Sequence, residues 1–194
     1  VTPAFAELNV DVIVDGLNNP WEIVFGPEGE IYFTERDGRL WIIEEFGQAK
    51  IIETFPKSGS VEGGTLGLAL DPMFEQNKRI YIYQTNLELE FFQNKVFSFT
   101  LDDYTLTNKE IIIEDIPGAP WHDGGRISFG PDEKLYITTG DAINPGWSQD
   151  LSSLAGKILR INSDGTIPDD NPFDSSPIFS YGHRNPQGIA WNED

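Results

Sequence analysis

The sequence predicts an all-β fold assembled from repeated four-stranded units, the pattern of a β-propeller. Three observations carry this. Short segments rich in β-branched and aromatic residues follow one another, most of them bounded by Gly, Pro, Asn or Asp. No stretch keeps a long 3.6-residue apolar period. One strand–turn–strand text is restated along the chain.

The expected strands, in order, are Asp11–Val14, Glu22–Phe25, Ile31–Thr34, Leu40–Ile43, Lys50–Glu53, Leu66–Leu70, Ile80–Gln84, Asn94–Phe99 and Glu110–Glu114. A hairpin is expected at Ile127–Gly130 and Leu135–Thr138, turning at Pro131–Lys134. A single short turn of helix is expected at Ser148–Ser153.

The restated text is WEIVFGPEGEIYFT at Trp21–Thr34 and RISFGPDEKLYIT at Arg126–Thr138. A looser copy joins Gly67–Pro72 to Arg79–Tyr83, and a fourth begins at Gly188 and runs to Asp194. Proline pre-sets φ in each turn and ends hydrogen bonding there. With Pro27, Pro72, Pro131 and Glu193 equivalent, the intervals are 45, 59 and 62 residues. Those suit propeller blades with unequal loops. A β-sandwich also uses short alternating strands, but it has no need to restate one hairpin at such intervals. The fourth copy stops before its second strand, and a ring of three and a fraction blades leaves an open edge. We therefore expect residues 1–194 to be the N-terminal part of one propeller domain, closed by further chain or by a second chain.

Composition narrows the function. The chain has 13 basic and 32 acidic residues, a formal charge of -19, so its surface repels nucleic acid and anionic membrane. It contains no cysteine, which excludes a disulfide framework, thiolate catalysis and cysteine-ligated metal. No apolar run approaches the length of a membrane span. The start, Val1-Thr2-Pro3-Ala4-Phe5, lacks an initiator methionine, and on it we expect an exported, periplasmic or extracellular protein.

Two stretches place groups suited to chemistry beside strand text: Trp121–Asp141 and Tyr181–Gly188. His122 precedes the first strand of the expected hairpin and Asp141 follows the second, so the turn brings both to one rim. On composition alone, both histidines, His122 and His183, serve equally well as satisfied loop residues. Arg126 reads as a brace. Asp164 and Asp169-Asp170-Asn171 read either as a surface calcium clutch or as Asp-Gly and Asn-Pro turns. Glu35-Arg36-Asp37-Gly38 reads as a turn with a local ion pair of little energetic weight.

Ordered blocks then identify a resemblance. They are Leu17-Asn18-Asn19-Pro20-Trp21, Thr34–Leu40, Gly63–Pro72, His122-Asp123-Gly124-Gly125-Arg126, Thr139-Gly140-Asp141, Leu154–Asn162, Asp164–Pro168, Asp170–Phe173 and Gly182–Gly188. In this order they resemble the soluble quinoprotein glucose/sorbosone dehydrogenases, or aldose sugar dehydrogenases: six-bladed propellers that use pyrroloquinoline quinone (PQQ) and calcium. The chain looks like the N-terminal half to two-thirds of that domain.

The resemblance implies that His122 is the general base, that Asp141 supports it and that Arg184 contacts the quinone with Asn185 beside it. It also implies a cofactor contact at Glu62, where relatives carry glutamine, and places the calcium ligands in later blades. Chemistry agrees with these roles. Oxidising an aldose at C1 removes a hydroxyl proton, which an imidazole takes near neutral pH, and a buried carboxylate on its other nitrogen fixes the tautomer. Arg184 offers a planar fork for carboxylate or quinone oxygens. Trp121 and Trp147 are candidate aromatic walls for cofactor or sugar.

The expected reaction takes an aldose to its lactone and passes electrons to a soluble acceptor. Nicotinamide is not that acceptor, because the Gly-rich turn between strand and helix is absent. The alternatives are a non-catalytic propeller that binds a protein or carbohydrate, and a bare folding unit.

Overall fold

Alternating burial organises the chain into three sheets. The computed structural model describes residues 9–44 and 47–192. The first sheet holds β1 (Pro20–Phe25), β2 (Ile31–Glu35), β3 (Arg39–Ile43) and β4 (Lys50–Thr54). The second holds β5 (Thr65–Leu70), β6 (Arg79–Glu88), β7 (Phe91–Asp102) and β8 (Thr105–Pro117). The third holds β9 (Ile127–Phe129), β10 (Leu135–Thr138), β11 (Lys157–Ile161) and β12 (Ile178–Tyr181). Each is a four-stranded antiparallel meander in chain order. The leading strands are neighbours, β1 against β5 and β5 against β9.

Strand β6 shows why the sheets stack. Its side chains alternate between two faces. Ile80 and Ile82 join Leu40, Leu68, Phe97 and Phe99 in the core shared with the first sheet. Tyr81 and Tyr83 join Leu66, Ile127, Leu135 and Ile137 in the core shared with the third. All four β6 side chains are fully buried, each contributing on the order of 1.5–3 kcal/mol relative to exposure.

The repeat read in the sequence is the leading hairpin of each sheet: β1–β2, β5–β6 and β9–β10. Two of its turns have the same hydrogen bonds. Gly26 N–H donates to Glu30 O at 2.8 Å and Gly29 N–H to Gly26 O at 3.3 Å. Gly130 N–H donates to Lys134 O and Glu133 N–H to Gly130 O, both at 2.9 Å. A further device recurs in all three hairpins. Near the start of the returning strand a tyrosine hydroxyl bonds a carboxylate of the turn: Tyr32 to Glu30 at 3.1 Å, Tyr81 to Asp71 at 2.8 Å and Tyr136 to Asp132 at 3.1 Å. Burial, reinforced by that carboxylate, pushes all three phenols above their ordinary range.

Several expectations are corrected. Residues 11–14 form no strand; Val12 and Ile13 are 78 % and 70 % exposed, and alternation without a partner strand makes no ladder. The helical turn is α2 (Pro145–Gln149), shifted toward the N-terminus by a proline at its start. A second short helix, α1 (Phe74–Asn77), fills the β5–β6 connection. Residues 188–192 form no strand, although Trp191 packs edge-on against Tyr136 at 5.3 Å. Glu193, Asp194 and the start at residues 1–5 lie outside the described residues.

Candidate active site

The loops that enter β5 and β9, and those that leave β10 and β12, meet at one end of the sheets. His122 lies on the β8–β9 loop with φ +66°, a left-handed conformation uncommon for a residue with a side chain. Four contacts hold it there. Its N–H donates to Glu62 Oε2 at 2.9 Å, and its carbonyl accepts from Ala142 N–H at 3.2 Å. The neighbouring Gly124 N–H donates to Asn185 Oδ1 at 2.9 Å. Gly125 N–H donates to Thr138 O at 2.9 Å.

Asp141 leaves β10 on the same rim, as the hairpin geometry predicts. Its Oδ1 lies 2.8 Å from His122 Nδ1 and also accepts from Ile143 N–H at 3.0 Å. The two side chains are only 13 % and 3 % exposed. A carboxylate in that place requires the proton on Nδ1 and leaves Nε2 as the free acceptor. Gly140, just before Asp141, is obligatory: a Cβ there would collide with the carbonyl of His122.

Glu62 ties the loops together. Its N–H donates to Pro120 O at 3.0 Å, and its Oε2 also accepts from Asn185 Nδ2 at 3.2 Å. Arg184 joins through its backbone, whose carbonyl accepts from Asp141 N–H at 2.7 Å. Arg184 as a whole is exposed. Thus Glu62, His122, Asp141, Arg184 and Asn185 form one connected set. Trp121, on the loop carrying His122, and Trp147, on α2, are 46 % and 38 % exposed.

Other groups have structural work. His183 bonds Ser180 Oγ through Nε2 at 2.9 Å; burial, and then the Lys157 ammonium, lower its pKa. Arg126 is a brace, as its position suggests. It stacks over Trp21 at 4.2 Å, pairs with Glu22 and donates to Gln187 O at 2.9 Å. Asp170 and Asn171 serve Arg160, at 2.7 and 3.0 Å, while Asp164 Oδ1 accepts from Thr166 N–H at 3.0 Å. Among the described residues no group of three or more His, Cys, Asp or Glu is arranged for a metal.

The turn read at Glu35-Arg36-Asp37-Gly38 is present with a local ion pair, but Glu35 itself belongs to the core. It is fully buried, pairs with Arg39 at 2.7 Å and accepts from Trp41 Nε1 at 2.6 Å.

Sequence reasoning missed the support behind His122: Asp123, Ser60, Tyr83 and Asn94. The one available signal was an acidic residue set between the histidine and a glycine pair, a place with no solvated turn to explain it.

A family profile described as "Glucose / Sorbosone dehydrogenase" matches residues 17–194. The chain is 32 % identical to the aldose sugar dehydrogenase YliI of Escherichia coli, over 96 % of this chain and 54 % of that protein. It is 31 % identical to quinoprotein glucose dehydrogenase B of Acinetobacter calcoaceticus, over 93 % of this chain and 45 % of that protein. It superposes on the PQQ-bound aldose sugar dehydrogenase of Streptomyces coelicolor with a TM-score of 0.88 and 36 % identity, covering 95 % of this chain and 56 % of the other. The chain spans about half the length of the curated relatives that it matches.

Proposed function

The chain belongs to the glucose/sorbosone dehydrogenase family, and from that premise we propose that it oxidises aldose sugars at C1 to the lactone with PQQ and calcium. Electrons pass to a soluble acceptor other than nicotinamide. The fold is all-β and homologous to the six-bladed PQQ-dehydrogenase propellers. In this reading the three sheets are three of six blades, and the reaction runs in an exported compartment.

The observation that carries the proposal is the His122 Nδ1–Asp141 Oδ1 contact of 2.8 Å at a rim shared with Arg184. Nε2 takes the proton of the anomeric hydroxyl. Asp141 holds the ring orientation and stabilises the imidazolium as it forms.

The residues present fit the cofactor. Arg184 is exposed, and its planar cationic fork suits carboxylate and quinone oxygens. Asn185 follows it in the chain and bonds Glu62, whose carboxylate already accepts from two N–H donors, which tempers its repulsion of an anionic ligand. Trp121, next to the base in the chain, is half-exposed and offers an aromatic face. PQQ, when bound, supplies the two-electron sink that the side chains lack.

The test adds PQQ and calcium to the purified protein and follows dye reduction with an aldose. We expect sugar-dependent turnover that is lost in His122→Ala. Turnover that persists in that variant overturns the assignment of the base.

A further inference from the structure

Asp123 is a buried carboxylate that the proposed chemistry does not use. It is 1 % exposed and adjoins His122 in the chain. Its Oδ1 accepts from Asn94 Nδ2 of β7 at 3.2 Å and from Ala119 N–H at 3.1 Å. Its Oδ2 accepts from Ser60 Oγ at 3.3 Å. Its backbone carbonyl accepts from Tyr83 Oη of β6 at 2.7 Å. Tyr83 and Asn94 are fully buried, so these ties are anchored in the second sheet. Ser60 Oγ also accepts from Gly63 N–H at 2.9 Å, on the loop whose Glu62 holds the His122 N–H.

A left-handed non-glycine residue persists only where its surroundings over-determine it. Glu62, Ala142 and Asp141 hold His122 itself. Gly124 and Gly125 anchor the chain further on, through Asn185 and Thr138. Asp123 is the fixed point between them and His122, and without it this peptide could rotate and carry the imidazole off Asp141. Fold stability does not account for this carboxylate. Burial pushes its pKa above the ordinary value, against the hydrogen bonds from Ala119, Asn94 and Ser60, so its ionised form burdens the folded state.

We propose that Asp123 is a positioning residue: a node joining β6, β7 and the β4–β5 loop to the His122 backbone, so that the imidazole stays aligned with Asp141. This rests on His122 being the base, but its first readout does not require turnover.

That readout is the imidazole N–H proton of His122 in the cofactor-free protein, observed by NMR. The chain has only two histidines, and the resonance is assigned by its loss in His122→Gln. Asp123→Asn keeps every tie, because its oxygen accepts from Ala119 and Asn94 while its amide N–H donates to Ser60 Oγ; the signal is expected to remain. Asp123→Ala removes the side-chain ties, and the signal is expected to vanish into exchange with water.

In the protein loaded with PQQ and calcium, Asp123→Ala should lose at least ~10-fold in kcat with the sugar KM within ~3-fold, the pattern of a misaligned base. Asp123→Asn should restore kcat to within ~3-fold of the parent. An unchanged His122 signal in Asp123→Ala overturns the proposal, as does failure of Asp123→Asn to retain it. If Asp123→Ala does not fold, Ser60→Ala and Tyr83→Phe each remove one tie, and an undiminished signal in both overturns it equally. A parent protein without turnover counts against the dehydrogenase reading alone.

Discussion

His122 Nδ1 and Asp141 Oδ1 lie 2.8 Å apart across 19 residues of sequence. The β9–β10 hairpin closes that distance: Ile127 pairs with Ile137, and the chain leaves both strands at the same end. The ladder register fixes where both loops begin, and their own hydrogen bonds complete the approach. The β-turn at Pro131, far from the pair, is therefore part of what aligns it.

Asp141→Asn should lower kcat by about 10²–10⁴-fold while leaving the fold intact. The amide can present N–H to Nδ1, which selects the wrong tautomer and places the proton on Nε2. Steady-state dye reduction in the loaded protein measures this. A kcat within ~3-fold of the parent would mean that Asp141 only shapes its loop.

Asp123→Asn should melt at a higher temperature than the parent at pH 7. The sign follows from the raised pKa of Asp123. A carboxyl raised by folding is least costly when protonated, so the parent bears the cost of the ionised form at neutral pH. The advantage of the variant should shrink as pH falls through the raised folded value toward the ordinary 3.8. Each 1 kcal/mol relieved appears as roughly 2–4 °C in a chain of this size. A variant that melts below the parent at pH 7 would show that the carboxylate stabilises the fold.

Much of this architecture was legible in the sequence because its signals are local. Pro-containing turns between apolar strands mark the three leading hairpins, and hairpin geometry brings His122 and Asp141 to one rim. What escaped depends on partners distant in the chain. Asp11–Val14 has a strand's alternation but no neighbour to bond. Glu35 reads as part of a turn with a weak ion pair, and only the adjacent strand supplies the Trp41 indole N–H that it accepts on burial. Asp123 carries no local mark of burial, since its donors come from residues 60, 94 and 119.

Arg160→Leu should move acid unfolding to higher pH. Arg160 is nearly buried and bridges Asp132, at 2.7 Å, to Asp170, also at 2.7 Å. Hydrogen bonds from Arg160 hold Asp170 below the ordinary carboxylate range. Burial pulls Asp132 upward, but Arg160 outweighs it and holds Asp132 low as well. Depressed carboxyls contribute stability above their unfolded value near 3.8 and lose it as pH falls through their folded values. Without the guanidinium that contribution is missing at pH 5–7, so the variant starts its acid transition from a lower stability. Urea titrations at pH 7 and near pH 3 test this: a loss of equal size at both would show that Arg160 acts instead through packing on the ring of Phe179, which its guanidinium overlies at 5.8 Å.

Lys157→Met should loosen the segment that follows Asp141. Lys157 is fully buried, and its ammonium donates to three carbonyls: Trp147 at 2.7 Å, Ser148 at 3.1 Å and Ala155 at 2.7 Å. Two of these lie in α2, a helix too short to satisfy its own C-terminal carbonyls. Methionine fills the volume but donates nothing, so the expected loss is about 2–5 kcal/mol. Burial lowers the Lys157 pKa against the attraction of Asp150. A base depressed by folding gains stability as pH rises through its folded value toward the ordinary 10.5, so the gap between parent and variant should widen over that window. Hydrogen exchange locates the effect. The amides of Asp150, bonded to Trp147 O at 3.1 Å, and Gly182, bonded to Ser148 O at 2.8 Å, should exchange at least ~10-fold faster, while those of β2 and β3 stay unchanged. Equal protection in parent and variant would mean that α2 holds itself without the buried cation.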